Sequence, residues 1–304
     1  GFVYINLANA PMISGRIKTV EFEEKIANRL NVKMKYKSSK KYSQVFDKTK
    51  QMIDRNEPVL IFVDMPYLKY LNLNEDSHFG GHAIVLFGYD DKKKVYFVSD
   101  RDNSDYPIRT PKGEIAEDFH MVEYSDMEKA RSSNCRPFPA NNKYLEIDLS
   151  TYRPVNPKVI VEAIHETSNN MLNSPAGLLG INGINKFSKE VLKWSKYETS
   201  KLIRAGITNY FMISADGGTG GGIFRKMYGN FLVEASQIIE CDIVKELGKR
   251  YIGVAEKWEE IAGLLWDLSE TGNSGILKPI SNIAKDICNE ETDILKNMQA
   301  VTLS

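Results

Sequence analysis

Residues 78–102 read HFGGHAIVLFGYDDKKKVYFVSDRD, and this stretch decides the fold of the first half of the chain. The apolar run 82–90 and the alternating run 94–100 have the β-branched and aromatic content that is typical of strands. The charged turn at 91–94 is short enough to join two antiparallel neighbours. The stretch therefore predicts a β-hairpin whose first strand is buried.

This hairpin brings a histidine and an aspartate to one edge of the predicted sheet. His82 begins the first strand and Asp100 ends the second, so antiparallel pairing places them side by side. An aspartate that binds one imidazole nitrogen fixes the tautomer and leaves the other nitrogen to act as a base. A purely structural pair is the alternative. Gly80 and Gly81 would let a substrate backbone or acyl chain approach the ring, and His78 is either a substrate contact or a surface residue.

The rest of the chain divides where its sequence pattern changes, at the proline-containing segment 151–158. Strand and helix patterns alternate before it, and helical periodicity dominates after it. We therefore predict an α+β fold: an α/β domain with an antiparallel sheet over residues 1–150, followed by an all-helical domain over 151–304. Strands are predicted at 1–8, 58–64, 82–90, 94–100 and 144–149, and helices at 19–30, 42–55, 158–173, 182–205, 223–247, 249–270 and 281–298.

Composition narrows the functional classes. The chain has 304 residues with 40 Lys+Arg and 40 Asp+Glu, a balance that argues against a nucleic-acid partner. No apolar run approaches the roughly 20 residues that span a bilayer, so no membrane partner is predicted. Three widely spaced cysteines form neither a disulfide framework nor a zinc motif, which predicts a reducing, cytoplasmic setting. Without HExxH, EF-hand or clustered His/Cys patterns, we predict no metal.

A glycine-rich segment, DGGTGGG at 216–222, opens a predicted helix near Ile223. Backbone N–H groups at such a position can cradle a phosphate. Gly218, Gly220 and, one turn further, Arg225 are therefore candidate contacts to the substrate or to a phosphate group. The segment lacks the GK[ST] ending of a P-loop, which argues against ATP or NAD. A tight turn for helix packing and a surface salt bridge of Arg225 are the alternatives.

Taken together, these motifs resemble the butirosin-biosynthesis H family. HAIVLFGYD and VYFVSD look like the His and Asp strands of papain-like cysteine enzymes, and are most similar to the peptidase domain of bacteriocin-exporting transporters. The opening GFVYINLANAP, the Gly15-Arg16 pair and PVLIFVDMPYLKY extend the similarity. Further along, GGTGGGIFRKMYGNFLVEA at 217–235 resembles the signature of the family's second domain.

The resemblance implies a papain-like N-terminal domain, a helical C-terminal domain and acyl transfer. Family members, closthioamide synthetase among them, move an acyl group from a carrier-protein thioester to an amine and so form an amide. His82 would be the general base and acid, and Asp100 would orient it. The implied partners are an acyl or peptidyl carrier protein and a small-molecule amine, with phosphopantetheine arriving on the carrier and no other cofactor. A thioesterase or peptidase on the same site, or a non-catalytic binding protein, is the alternative.

Such a reaction needs a thiolate. The resemblance places the nucleophilic cysteine near the start of a helix upstream of Gly1. Cys135, in a polar loop, and Cys241 and Cys288, in predicted helices, are weaker candidates, since free cysteines in helices are usually small apolar core residues.

Two surfaces are predicted to meet partners. The apolar positions of the helical domain are compatible with a homodimer. A basic run is a candidate contact for an acidic carrier protein, with a solvated surface as the alternative. It consists of Lys33, Lys35, Lys37, Lys40 and Lys41.

Overall fold

The computed structural model describes residues 1–8, 10–16, 21–100, 108–110, 113–115, 119–136 and 138–303. The strands are β1 (Val3–Leu7), β2 (Ala10–Ser14), β3 (Lys33–Lys37), β4 (Val59–Val63), β5 (His82–Asp90), β6 (Val95–Ser99), β7 (Ile108–Thr110), β8 (Gly113–Ile115), β9 (His120–Glu123) and β10 (Tyr144–Asp148). The α-helices are α1 (Glu21–Leu30), α2 (Tyr42–Asp54), α3 (Tyr124–Ser132), α4 (Pro157–Leu172), α5 (Gly180–Glu190), α6 (Thr199–Ile213), α7 (Arg225–Ile238), α8 (Asp242–Thr271) and α9 (Leu277–Gln299). Short 3-10 helices lie at Met65–Tyr67, Lys69–Leu71, Val191–Lys196, Ala215–Gly217 and Ser274–Ile276. The predicted α+β class, with antiparallel sheets and a helical C-terminal region, is confirmed.

The chain divides into two compact units. Unit 1 comprises Gly1–Lys18 and Pro154–Ser304, and unit 2 comprises Thr19–Arg153. The prediction from composition placed all of residues 1–150 in one domain, whereas the N-terminal hairpin of β1 and β2 belongs to the helical unit. The reason is burial: Tyr4 and Ile13 of this hairpin are fully buried in the helical core.

Unit 2 is built on a six-stranded sheet with the order β3-β10-β4-β5-β6-β9, in which the paired neighbours run antiparallel. Alternate residues of the central strands point to a core that α2 and α3 cover, as the period of two in a strand requires. Ile61, Ile84, Leu86 and Val98 lie in this core and are essentially inaccessible to solvent. The hairpin predicted from residues 78–102 is therefore β5 and β6, at the middle of the sheet.

Strand β3 is an element that the sequence analysis did not predict. Its sequence KMKYK alternates exposed lysines with half-buried Met34 and Tyr36. β3 lies at the edge of the sheet against β10, where Lys33 pairs with Asp148 at 3.6 Å and Lys37 pairs with Glu146 at 3.7 Å. Charged side chains of this kind protect a sheet edge from further pairing.

Unit 1 packs helices α4–α9 around a core that contains Trp194 and Trp258, both fully buried. The helix predicted over 223–247 is interrupted, since α7 ends at Ile238 and α8 begins at Asp242. Glu240, between them, has a φ of 51°, a left-handed conformation that breaks the helical ladder. Among the helices that the structure describes, none combines the length and the apolar character needed to cross a membrane.

Candidate active site

His82 and Asp100 are in contact within unit 2. The Nε2 atom of His82 lies 2.9 Å from Oδ2 and 2.8 Å from Oδ1 of Asp100. Since Nε2 faces the carboxylate, Nδ1 is the ring nitrogen left to exchange a proton with a reacting group. The contact is the one that the hairpin register predicts, and its catalytic role remains a prediction.

The strand register explains why these two side chains meet. Val85 of β5 pairs with Ser99 of β6, which places Asp100 level with Ile84. His82 lies two residues beyond Ile84 on the same face of β5, a diagonal separation that long side chains span. Both functional groups therefore project toward the inner face at the end of their strands.

Burial differs sharply between the two partners. The side chain of Asp100 is 1% exposed, whereas that of His82 is 18% exposed. A carboxylate this deeply buried stabilises an imidazolium beside it, because little solvent screens their attraction. The imidazole itself still reaches solvent, so a substrate has access to it.

Tyr70 is a residue of the site that the sequence analysis missed. Its hydroxyl donates to Oδ2 of Asp100 at 2.9 Å, and its ring stacks on His120 at 3.8 Å with an interplanar angle of 5°. Tyr70 and His120 both lie far from Asp100 in the sequence, and no motif or residue spacing predicts these contacts. The tyrosine adds a second donor to the carboxylate and so fixes its orientation toward His82.

His78 contacts a different aspartate. Its Nδ1 lies 2.8 Å from Oδ2 of Asp64, which is fully buried directly after β4. The strand register pairs Val63, the last residue of β4, with His82, so Asp64 lies at the same edge of the sheet as the His82–Asp100 pair. Asp64 was also missed, although it follows a buried strand just as Asp100 does. A substrate contact by His78 remains a prediction.

The glycines before His82 serve the chain's own packing. A Cβ at Gly80 would lie 2.6 Å from the carbonyl oxygen of Phe138 and 2.4 Å from the amide nitrogen of Ala140. Only glycine allows this close backbone approach. The space next to the Gly80 backbone, expected to admit a substrate, is taken by residues 138–140.

The glycine-rich segment in unit 1 turns part of its backbone toward an internal carboxylate. The N–H groups of Gly222 and Ala215 donate to Oε1 of Glu259 at 2.6 and 3.2 Å. Burial raises the pKa of Glu259, and these two hydrogen bonds act in the opposite direction. Gly218 and Gly220 are exposed with φ of 76° and 67°, and their contact with a substrate remains a prediction.

Arg225 lies in the interior of unit 1. Its Nε and Nη2 atoms bind the two carboxylate oxygens of Glu291 at 2.8 and 3.1 Å, and Nη1 donates to the carbonyl oxygens of Gly1 and Ile223. The side chain is 5% exposed and Glu291 is fully buried. This is the geometry of a structural ion pair. The guanidinium of Arg225 is therefore engaged inside unit 1, and we assign it no role in the reaction.

The three cysteines lie in different surroundings. Cys135 is half-buried in the loop after α3. Cys241, also half-buried, lies in the break before α8 and not inside a helix as predicted. Cys288 is buried in α9, where burial raises the pKa of its thiol. A buried thiol of raised pKa is poorly placed to act as a nucleophile.

Two regions of the chain match described protein families. Residues 1–101 match the N-terminal domain of butirosin biosynthesis protein H. Residues 125–298, more than half of the chain, match a family described as Domain of unknown function (DUF4872). The comparison with curated proteins finds no match to the chain. The first match includes His78, His82 and Asp100, and the second includes the glycine-rich segment.

Proposed function

The chain belongs to the family of butirosin biosynthesis protein H, and from that premise we propose that it is a biosynthetic enzyme. Its reaction is cysteine-dependent acyl transfer, from a thioester on an acyl or peptidyl carrier protein to a small-molecule amine. The product is an amide of an antibiotic-like natural product. The observation that carries this proposal is the contact between His82 and Asp100 at one edge of the unit 2 sheet.

The same observation supports a papain-like assignment of unit 2. In such enzymes a histidine and its orienting partner come from neighbouring antiparallel strands, and the imidazole serves a cysteine thiol. His82 at the start of β5 and Asp100 just after β6 have this relation. The proposed reaction requires a cysteine thiol within hydrogen-bonding reach of Nδ1 of His82.

The chemistry divides into two balanced steps. In the first, His82 accepts the thiol proton, sulfur attacks the thioester carbonyl, and the carrier thiol leaves with that proton. In the second, the amine attacks the acyl-enzyme, His82 accepts the amine proton, and the enzyme thiol leaves with it. The charge that develops on the imidazole in both steps is stabilised by the buried carboxylate of Asp100.

The proposal is tested with the full-length protein, a pantetheine acyl thioester as donor and a simple primary amine as acceptor. Amide formation is followed by mass spectrometry. We expect His82→Ala to lower the rate by about a thousandfold, because general acid–base catalysis contributes on that scale. His165→Ala is the control, since this histidine binds the carbonyl oxygen of Val301 in unit 1 and has no part in the proposed reaction.

The outcomes separate the candidate functions. A His82→Ala variant that folds and retains the wild-type rate would remove His82 from the mechanism. Formation of the free acid alone, at the same rate with and without amine, would replace acyl transfer by thioester hydrolysis. A protein that binds the thioester and forms neither product would be a binding protein.

A further inference from the structure

Unit 2 contains a second cluster of side chains with metal-binding donors. A carboxylate oxygen of Asp64, a ring nitrogen of His78 and Sγ of Cys135 all lie within 4.8 Å of one another. The three residues come from the end of β4, the loop before β5 and the loop after α3. They converge only in the folded chain, because they are far apart in sequence.

Asp64 is the fixed member of the cluster. Its Oδ1 accepts from the backbone N–H of Phe79 at 2.7 Å, and its Oδ2 accepts from the hydroxyl of Ser133 at 2.5 Å. Its own backbone N–H donates to the carbonyl oxygen of Ala130 at 2.8 Å. The carboxylate is thus oriented before any ligand arrives, which lowers the cost of forming a site.

The charge balance of the cluster favours a cation. Asp64 is fully buried, and within the described residues its one ion-pairing partner is His78. A buried carboxylate is costly unless a positive charge compensates it. A divalent ion bound to a carboxylate, a thiolate and a neutral imidazole would compensate both negative groups at once.

The donor atoms indicate which cation. One oxygen, one nitrogen and one sulfur exclude Mg²⁺ and Ca²⁺, which take oxygen ligands, and match the borderline-soft ion Zn²⁺. Zinc bonds of about 2.0–2.3 Å place tetrahedral ligand atoms roughly 3.5 Å apart. His78 and Cys135 lie in loops, and zinc binding would draw their donor atoms, now within 4.8 Å of each other and of Asp64, to about that separation.

We propose that Asp64, His78 and Cys135 form a zinc-binding site with an open coordination position. His78 is 31% exposed and Cys135 is half-buried, so the open position faces solvent while Asp64 closes the inner side. Binding releases the proton of the Cys135 thiol, and the coordinating nitrogen of His78 must be unprotonated. The site borders the His82–Asp100 pair but shares no residue with it.

The experiment uses tag-free, metal-depleted full-length protein titrated with Zn²⁺. We expect one equivalent of zinc to bind, and Cys135→Ser to weaken binding by at least about tenfold. Cys241→Ser is the matched control, because Cys241 is half-buried like Cys135 but lies outside the cluster. The zinc affinity of this variant should equal that of the wild type. Loading with Co²⁺ should give a thiolate-to-metal absorption band in the wild type and none in Cys135→Ser.

Alkylation of the cysteines gives an independent readout. Zinc should protect Cys135 from a thiol-reactive probe and leave the labelling of Cys241 unchanged. Asp64→Asn is a second ligand variant. If it fails to fold, His78→Gln replaces it, and thermal melting of the metal-free proteins is the folding check. Absence of stoichiometric zinc, equal affinity in Cys135→Ser, or Cys135 labelling that zinc does not slow would each overturn the proposal.

Discussion

At the residue scale, Asp100 is held from two sides. His82 lies against both of its carboxylate oxygens, and Tyr70 donates to one of them. The ring of Tyr70 is itself fixed by stacking on the buried His120. Tyr70 contacts the carboxylate that faces His82, so we assign it a positioning role through Asp100.

Tyr70→Phe should lower the rate of amide formation by about tenfold, because hydrogen bonds to charged groups contribute about 1.5–3 kcal/mol. Phenylalanine retains the stack on His120 and removes only the hydroxyl. The loss should fall on kcat and leave KM unchanged, because Tyr70 acts on His82 through the carboxylate of Asp100.

The control for this prediction is Tyr152→Phe, which removes a hydroxyl from a tyrosine of unit 2 that is 51% exposed. It should leave both kcat and KM unchanged. A Tyr70→Phe enzyme with the wild-type kcat would limit Tyr70 to a packing role.

At the scale of elements, a buried ion pair joins two helices of unit 1. Arg225 begins α7 and Glu291 lies within α9. Trp258 and Tyr251 of α8 donate to the same carboxylate at 3.2 and 3.3 Å. The guanidinium also lies 5.8 Å from the ring centre of Trp258. Three helices are therefore connected through one carboxylate, and loss of either charge leaves the other buried without compensation.

Glu291→Gln should lower the free energy of unfolding by about 3–5 kcal/mol, the usual cost of breaking a buried pair. Glu290→Gln is the matched control, because Glu290 pairs with Lys257 near the surface, where such pairs contribute at most about 1 kcal/mol. Urea denaturation measures both values. Equal stability of the two variants would show that the Arg225–Glu291 pair adds little to the fold.

At the scale of the whole molecule, each unit has its own core. The buried apolar residues form one cluster within unit 1 and another within unit 2. All three tryptophans, Trp194, Trp258 and Trp266, belong to unit 1. Tryptophan fluorescence therefore reports on unit 1, whereas circular dichroism reports on both units.

Leu86→Ala removes a fully buried side chain from the unit 2 core and should cost about 2–5 kcal/mol. In urea, the circular dichroism transition should move to lower concentration by more than the fluorescence transition does. Leu265→Ala, at an equally buried position in unit 1, should shift the fluorescence transition together with the part of the circular dichroism change that comes from unit 1. An identical shift of both signals in Leu86→Ala would mean that the units unfold together.

Local patterns of the sequence predict much of the secondary structure. The observed β4, β5, β6 and β10 and helices α2 and α4 lie within a residue or two of their predicted bounds, since each is a continuous run with a single period. β3 was missed because its charges resemble a solvated surface run. The break before α8 was missed because the apolar spacing continues across it.

The sequence by itself determined the α+β class and the contact of His82 with Asp100, because strand periodicity and hairpin register are local properties. It also determined the family, through the order of its motifs. Only the tertiary structure decided which side chains that are distant in sequence come into contact. Tyr70 reaches Asp100, Asp64 gathers His78 and Cys135, and Arg225 turns inward. The physical reason is that these contacts depend on how loops and helices pack, and burial and charge compensation act between residues that no sequence spacing relates.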